Sequence, residues 1–566
     1  MEKYIKLLDL IDKDLLYQHV NTLSQWERLT GEAEAEKAVD YIVEELERNH
    51  IQYNRYHFDG YFSDPIHGQV SVTAPEKLDI RAKTRSFGLH IPKGLKGNLF
   101  YDSDSEKTRS VNESTDRFEK MNDKIVVSWN YYEDYVKKIE NAGAIGLIHI
   151  WPSKEEAIHE ETVGTVWGTP TIDNVDQLTK IPVVGINNSD GLQLLKLLRD
   201  EEVTVVLKTV VKNGIKSVSL PVATIPGETD EYILISGHYD SWHKGATDNA
   251  TANALMLELA RILSNKPHKR GIQIAWWPGH SNGRYAGSAW YCDHFWQDIN
   301  EHCVAHINID FPGTKGNVNV VPRFTSLEDA QFLKDIIASF TDKEPTRFEN
   351  LPRGADQSFW GTNIPIHLMM KYEPIQEEKI YQTPGGNWWW HTEEDLPDKV
   401  DFDLLFRDTG IHLVLVNELT NVNILPLNLL DFIATSKKIM NELDNHSDKA
   451  FDFTVVHESF DKLTEVIRDL LGKEVRDAKK YNKLLKTIGG TLNRLKFSYS
   501  SKYDYDNTFP FRPYPGLAKV KDMYRGNSSP EEFLFTLTFF VRQRNRIVKE
   551  IQEIIKEINR YLFRYR

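Results

Sequence analysis

Residues 231–263 read EYILISGHYDSWHKGATDNATANALMLELARIL. The stretch opens on a short continuous apolar run, YILI, that breaks at Gly237. A run of that length ending at a glycine predicts a strand buried on both faces. From Thr251 to Leu263 the apolar residues recur at helical spacing, which predicts a buried helix. Strand followed by helix is the repeating unit of a sheet covered by helices on its faces. In open sheets of that kind, ligands sit outside the carboxyl ends of the strands. His238 and Asp240 fall at such an end. Asp248 falls where the helix begins, a place the helix dipole favours for a carboxylate.

Outward from this stretch the pattern repeats. GIQIAWW (271–277), VAHINID (304–310) and IPIHLMM (364–370) are short apolar strands, separated by helical patterns such as GSAWYCDHFWQDI (287–299). Two later segments add chemistry. Asp310 closes VAHINID, and His391 precedes an acidic turn in WWWHTEEDLPDKVD (388–401). Taken singly, each of these residues reads as an ordinary hydrogen-bonded group. Two histidines and two aspartates together make a donor set suited to zinc, and a bridging carboxylate can hold two ions. Paired ions about 3.5–4 Å apart polarise a scissile carbonyl and activate water at neutral pH. Asp240, two residues from His238, either orients that imidazole or caps the turn.

Composition bounds the rest. The chain has 566 residues. A single core takes up roughly 100–200 residues, so several domains are expected. Hydrophobic residues make up 40% and charged residues 27%. That is the balance of a folded globular protein. A net charge of -14 argues against nucleic acid as a main partner. Two cysteines, Cys292 and Cys303, supply neither a disulfide framework nor a cysteine zinc site. The N-terminal MEKYIKLLDLIDKDLLYQHV carries acids throughout, unlike a signal peptide. The longest apolar run is FLFTLTFFV (533–541). A membrane span needs about 20 residues, so this run is far too short. A cytoplasmic location and no membrane partner are therefore expected.

The chain divides into four segments. Residues 1–93 begin with an amphipathic helix at GEAEAEKAVDYIVEELERN (31–49) and continue in alternating strands. Residues 94–212 read as a small inserted α/β domain. Residues 213–426 carry the strand–helix core, and residues 427–566 are helical. The fold class expected is α/β, with a mostly parallel sheet flanked by helices, an insert and a C-terminal helical domain.

The motifs GHYDSW, GATDNATANALMLELAR, INID and HTEEDLPDKVD resemble the two-zinc aminopeptidase family. That family includes glutamate carboxypeptidase, the transferrin receptor and the glutaminyl cyclases. GLKGNLF (94–100) through INNSDGLQLLKLL (186–198) is similar to a protease-associated insert. LNRLKFSYSS (492–501) and FPFRPYPG (509–516) are similar to the helical dimerisation domain of glutamate carboxypeptidase. The resemblance implies one metal on His238 and Asp310, another on His391, Asp248 bridging both, and Asp240 behind His238. It also implies one or two zinc ions, a small peptide or amide substrate and a homodimer.

One departure is large. The family carries two adjacent glutamates after the next strand, a general base and a ligand of the His391 metal. Here GIQIAWW is followed by PGHSNGRYAGSAWY (278–291), which contains no glutamate. His280 stands in that loop. As a ligand it would restore the His391 site; as a base it would manage the proton. Arg284 is a candidate oxyanion donor, with Tyr285 beside it. Arg353 and Asp356, in LPRGADQSFW (351–360), match the family segment that lines the substrate pocket, where an arginine can clamp a carboxylate. Trp388, Trp389 and Trp390 form either a pocket wall or core. The functions implied are a metal-dependent hydrolase of a peptide or small amide or, because the glutamates are missing, a non-catalytic interaction module on the same fold.

Overall fold

The computed structural model describes residues 4–106, 115–341, 344–345, 347–374, 387–447, 449–508, 511–522 and 529–564. The stretch that opens the sequence argument folds as read. Thr229–His238 is a strand, and Thr251–Leu263 a helix with every residue but Arg261 buried. Three strands run parallel beside Thr229–His238: Arg270–Trp277 on one side, then Cys303–Asn308 and Ile366–Glu373 on the other. Antiparallel strands flank them, Thr204–Ile225 against Arg270–Trp277 and Asn319–Phe324 against Ile366–Glu373. The four central strands of the core sheet are thus parallel, with an antiparallel neighbour on either side.

The insert forms a second parallel group, Ile91–Tyr101, Lys124–Ser128, Gly146–Ile150 and Val183–Ile186. One ribbon joins the two groups into a single 13-stranded sheet. Gln52–Ala74 pairs with Thr204–Ile225 along their whole length, from Gln52 opposite Thr224 to Ala74 opposite Thr204. The segment boundary drawn at 212/213 falls inside Thr204–Ile225. Burial along that strand explains the double membership. It alternates over 204–211, as for a sheet with one face covered, and is continuous over 218–223, as for a strand covered on both faces.

Beyond residue 427 the described chain is built mainly of helices, with Leu429–His446, Thr454–Leu471, Ala478–Phe497 and Pro530–Arg564 the long ones. Ala478–Phe497 buries Gly489 and Gly490 against Pro365 and Asn363, because no larger side chain fits there. The helical part thereby seats on the loop that leads into strand Ile366–Glu373. None of the described helices is long and apolar enough to cross a membrane.

Candidate metal centre

Strand ends deliver the donors. His238 is the last residue of its strand, and Asp310 lies two residues beyond Cys303–Asn308. His391 lies in a turn and has a left-handed backbone, φ 57°. Asp248 sits in the turn that enters Thr251–Leu263. These four, and Asp240, are buried.

Asp248 lies between the two histidines. Its Oδ1 is 3.1 Å from His238 Nε2 and its Oδ2 is 3.0 Å from His391 Nε2. Asp310 Oδ1 is 3.5 Å from His238 Nε2. Yet His238 Nε2, Asp248 Oδ1 and Asp310 Oδ1 make no hydrogen bond among the described residues. Buried polar atoms without partners are costly unless a cation or water joins them. Donors about 2.0–2.1 Å from a tetrahedral ion stand roughly 3.3 Å apart, so this spacing fits zinc. His238, His280 and Asp310 form one group with ligand atoms within 4.8 Å of one another, and His159, Glu161 and His391 form another.

Neighbouring groups aim the donors. His238 Nδ1 donates to the Asp240 carbonyl at 2.8 Å, and the Asp240 carboxylate lies 3.5 Å from the same nitrogen. His391 Nδ1 donates to the Glu160 carbonyl at 3.1 Å. Both Nε2 lone pairs therefore face Asp248. Asp395 accepts from Thr247 N, Thr247 Oγ1 and Asp248 N at 2.8–3.0 Å, fixing the turn that carries Asp248. Arg28, fully buried, donates to the carbonyls of Tyr239, Lys244 and Gly245, pinning the loop between His238 and Asp248.

The electrostatics follow from burial and proximity. Burial alone would raise the Asp248 carboxyl, but the His238 and His391 imidazoles beside its two oxygens outweigh it and hold the group well below the carboxylate range. Burial opposes charge on His391, yet Glu161 and Asp248 push it up to about 9. His238 is likewise raised, against burial, by Asp240, Asp248 and Asp310. Burial pushes Asp395 up to about 6, with the Asp248 charge adding to it. Cations are thus favoured where the two imidazoles meet the carboxylates.

His280 lies on the His238 side of the centre rather than beside His391. Its ring stacks on that of His238 at 3.9 Å, and its Nδ1 donates to Asp356 Oδ2 at 2.7 Å. Asp356 also accepts from Ser288 Oγ at 2.8 Å. Asp356 is therefore the orienting partner of His280, where the sequence reading made it a substrate contact. Tyr285 is buried edge-on to His280 and packs against Trp167 of the insert.

The two arginines depart from the sequence reading. Arg284 pairs with Glu133 of the insert and lies over the Tyr285 ring, so it ties the insert to the core. Arg353 pairs with Asp506 and donates to the Asn507 carbonyl at 2.6 Å, fastening the helical segment. In both cases a buried carboxylate far away in sequence takes the guanidinium. Trp390 stacks on His391 at 3.7 Å and clusters with Trp151 and Phe311. Trp388 and Trp389 lie farther out, under Lys399. The sequence reading missed Arg28, Asp395, His159 and Glu161. The last two lie in IHEET (158–162), whose closely spaced histidine and acids were the available signal.

Residues 222–411 match the model of peptidase family M28. Aminopeptidase YwaD of Bacillus subtilis is 28% identical over 182 residues, which are 32% of this chain and 37% of that protein. Aminopeptidase NAALADL1 of Mus musculus is 34% identical over 89 residues, 15% of this chain and 12% of that protein. The matches thus span well under half of these curated relatives. Among solved structures, a zinc aminopeptidase from Bacillus subtilis, BSAP, is 19% identical with a TM-score of 0.54, covering 73% of this chain and 96% of that one. A peptidase M28 precursor from Shewanella amazonensis is 17% identical with a TM-score of 0.57, covering 73% and 95%. The fold is that of these aminopeptidases, and the resemblance read from the motifs holds.

Proposed function

We propose, from a core of the M28 peptidase kind, that this chain is a zinc-dependent hydrolase of a peptide or small amide bond. The observation that carries the reading is Asp248 with a histidine on each oxygen and unpartnered buried donors around it. Zinc held there supplies a Lewis acid for the carbonyl and lowers the pKa of water.

The chain's own residues do the rest. His280 takes the place of the family's general base. Asp356 holds its Nδ1–H, so Nε2 is the nitrogen that accepts the proton of the attacking water and returns it to the leaving amine. Asp240 and the Glu160 carbonyl keep His238 and His391 in the orientation the ions need. Trp390, flat against His391, keeps bulk water from that side of the centre.

The test is a panel of chromogenic aminoacyl amides with zinc-loaded protein and with His280→Ala. Turnover should fall about 10²–10⁴-fold while metal content holds. Loss of metal together with turnover would instead make His280 a ligand. The absence of glutamate in the 278–291 loop favours one other reading, an interaction module that binds metal without turnover. A zinc-loaded protein inert to the whole panel would support that module and overturn the hydrolase.

A further inference from the structure

We infer that Trp167 of the insert is a positioning residue for His280, acting through a buried hydrogen-bond chain that runs by way of Ser358, Ser288 and Asp356. The inference rests on reading His280 as the base of the proposed hydrolysis and extends that reading to what holds the base in place.

The chain is continuous. Trp167 Nε1 donates to Ser358 Oγ at 2.9 Å. Ser358 Oγ and Ser288 Oγ lie 2.9 Å apart, and Ser288 Oγ donates to Asp356 Oδ1 at 2.8 Å. Asp356 Oδ2 accepts from His280 Nδ1 at 2.7 Å. Trp167, Ser358, Ser288 and Asp356 are all buried, so these bonds form in a low-dielectric interior where they are strong.

The direction of the chain follows from its first member. An indole N–H only donates, so Ser358 Oγ accepts from Trp167 and has its own proton for Ser288. Ser288 in turn has its proton for an acceptor. Two stand within reach, the Asp356 carboxylate at 2.8 Å and the Tyr285 carbonyl at 3.2 Å. The carboxylate is nearer and charged, and takes it. Asp356 thus receives one hydrogen bond on each oxygen, one from the chain and one from the base.

The backbone shows why Asp356 needs that support. Ala355 and Asp356 both have left-handed conformations, φ 50° and 60°. Such residues persist only where the surroundings hold them. Trp167 also braces His280 by a second route. Its ring packs on Tyr285 at 4.5 Å, and Tyr285 lies edge-on to His280 at 5.1 Å. The segment carrying Trp167 is itself fixed, since Gly168 N donates to the Arg284 carbonyl at 2.6 Å. The metal donors His238, Asp248, Asp310 and His391 are not members of the chain. Trp167 therefore governs the base and leaves the metal donors to the core.

The test compares Trp167→Phe, which keeps an aromatic ring but loses the donor, with Ser358→Ala, which removes the next link, and with the double variant. Each single change should lower kcat about 10-fold on the aminoacyl amides, with KM and zinc content unchanged. Both break the same chain, so the double variant should be no slower than the slower single one; independent effects would multiply to about 100-fold. The downfield proton resonance of His280 Nδ1–H, assigned by its loss in His280→Ala, should shift in all three variants. If Trp167→Phe melts early, Ser358→Ala takes its place, because that hydroxyl is where Trp167 enters the chain; the same fall in kcat and the same shift are expected. In a wild type that turns the amides over, an unchanged kcat, an unshifted resonance or multiplying effects overturn the inference and leave the proposed function standing. A zinc-loaded wild type inert to every amide overturns the proposed function, and the resonance alone then decides whether Trp167 holds His280.

Discussion

The two histidine-centred halves of the site are built differently. His238, Asp310, Asp240 and His280 all come from strand ends of one sheet region and the loops just after them, within residues 238–310. Around His391, the Glu160 carbonyl that fixes the tautomer lies 231 residues earlier in the chain, and Glu161 and Trp151 come from the same insert. The first half is local to the parallel core; the second is assembled across the joint between insert and core. A half made from one rigid sheet survives small movements of its neighbours. A half shared between two packed bodies depends on their docking, here fastened by Arg284 with Glu133 and by Lys83 and His243 with Glu160.

Asp248→Ala should break both halves together, because its two oxygens serve one histidine each. Turnover should drop by at least ~10³-fold and zinc binding should fall at both positions. Unchanged metal content and thermal stability would mean that Asp248 joins nothing.

Arg284→Met sharpens the contrast. Removing one partner of a buried pair costs about 3–5 kcal/mol, read as a lower melting temperature. Zinc should weaken on the His391 side and hold on the His238 side. Equal weakening of both ions would contradict the division into a local and a shared half.

Asp395→Asn tests the support of the shared carboxylate. An amide cannot accept all three hydrogen bonds that Asp395 receives. Affinity should fall about 10-fold or more for both ions, since the turn carrying Asp248 loses its anchor. A loss confined to one ion would assign Asp395 to that half alone.

A further prediction concerns pH. Burial pushes Glu133 up to about 7, against the opposing pull of Arg284. The folded state then holds this proton more tightly than the unfolded chain, whose glutamates titrate near about 4.3. Its contribution to stability is complete below about pH 4.3 and is lost as pH rises to about 7, a change on the order of 3 kcal/mol. Denaturant unfolding across that range should show the slope, and Glu133→Gln should flatten it. An unaltered slope would place the titration elsewhere.

The same contrast explains what the sequence could and could not tell. The strand and helix of residues 231–263 were legible because burial imposes a pattern on neighbouring residues. His238, Asp248, Asp310 and His391 were legible because each follows or precedes such a landmark. The partners of Arg284 and Arg353 were not, since Glu133 and Asp506 lie far along the chain, with no pattern linking them. Glu161 was hidden for the same reason. A carboxylate in a loop of an insert carries no local mark of the histidine it faces. The boundary at 212/213 followed a change in residue character, whereas one continuous strand spans it because alternating and doubly buried stretches are both compatible with a sheet.

The most direct test of whether two ions share Asp248 is zinc K-edge X-ray absorption on the fully zinc-loaded chain. A zinc–zinc separation of about 3.5–4 Å, with imidazole scattering in the inner shell, is the result predicted for two ions sharing Asp248. A spectrum with isolated zinc and no second metal within that distance would contradict the shared centre.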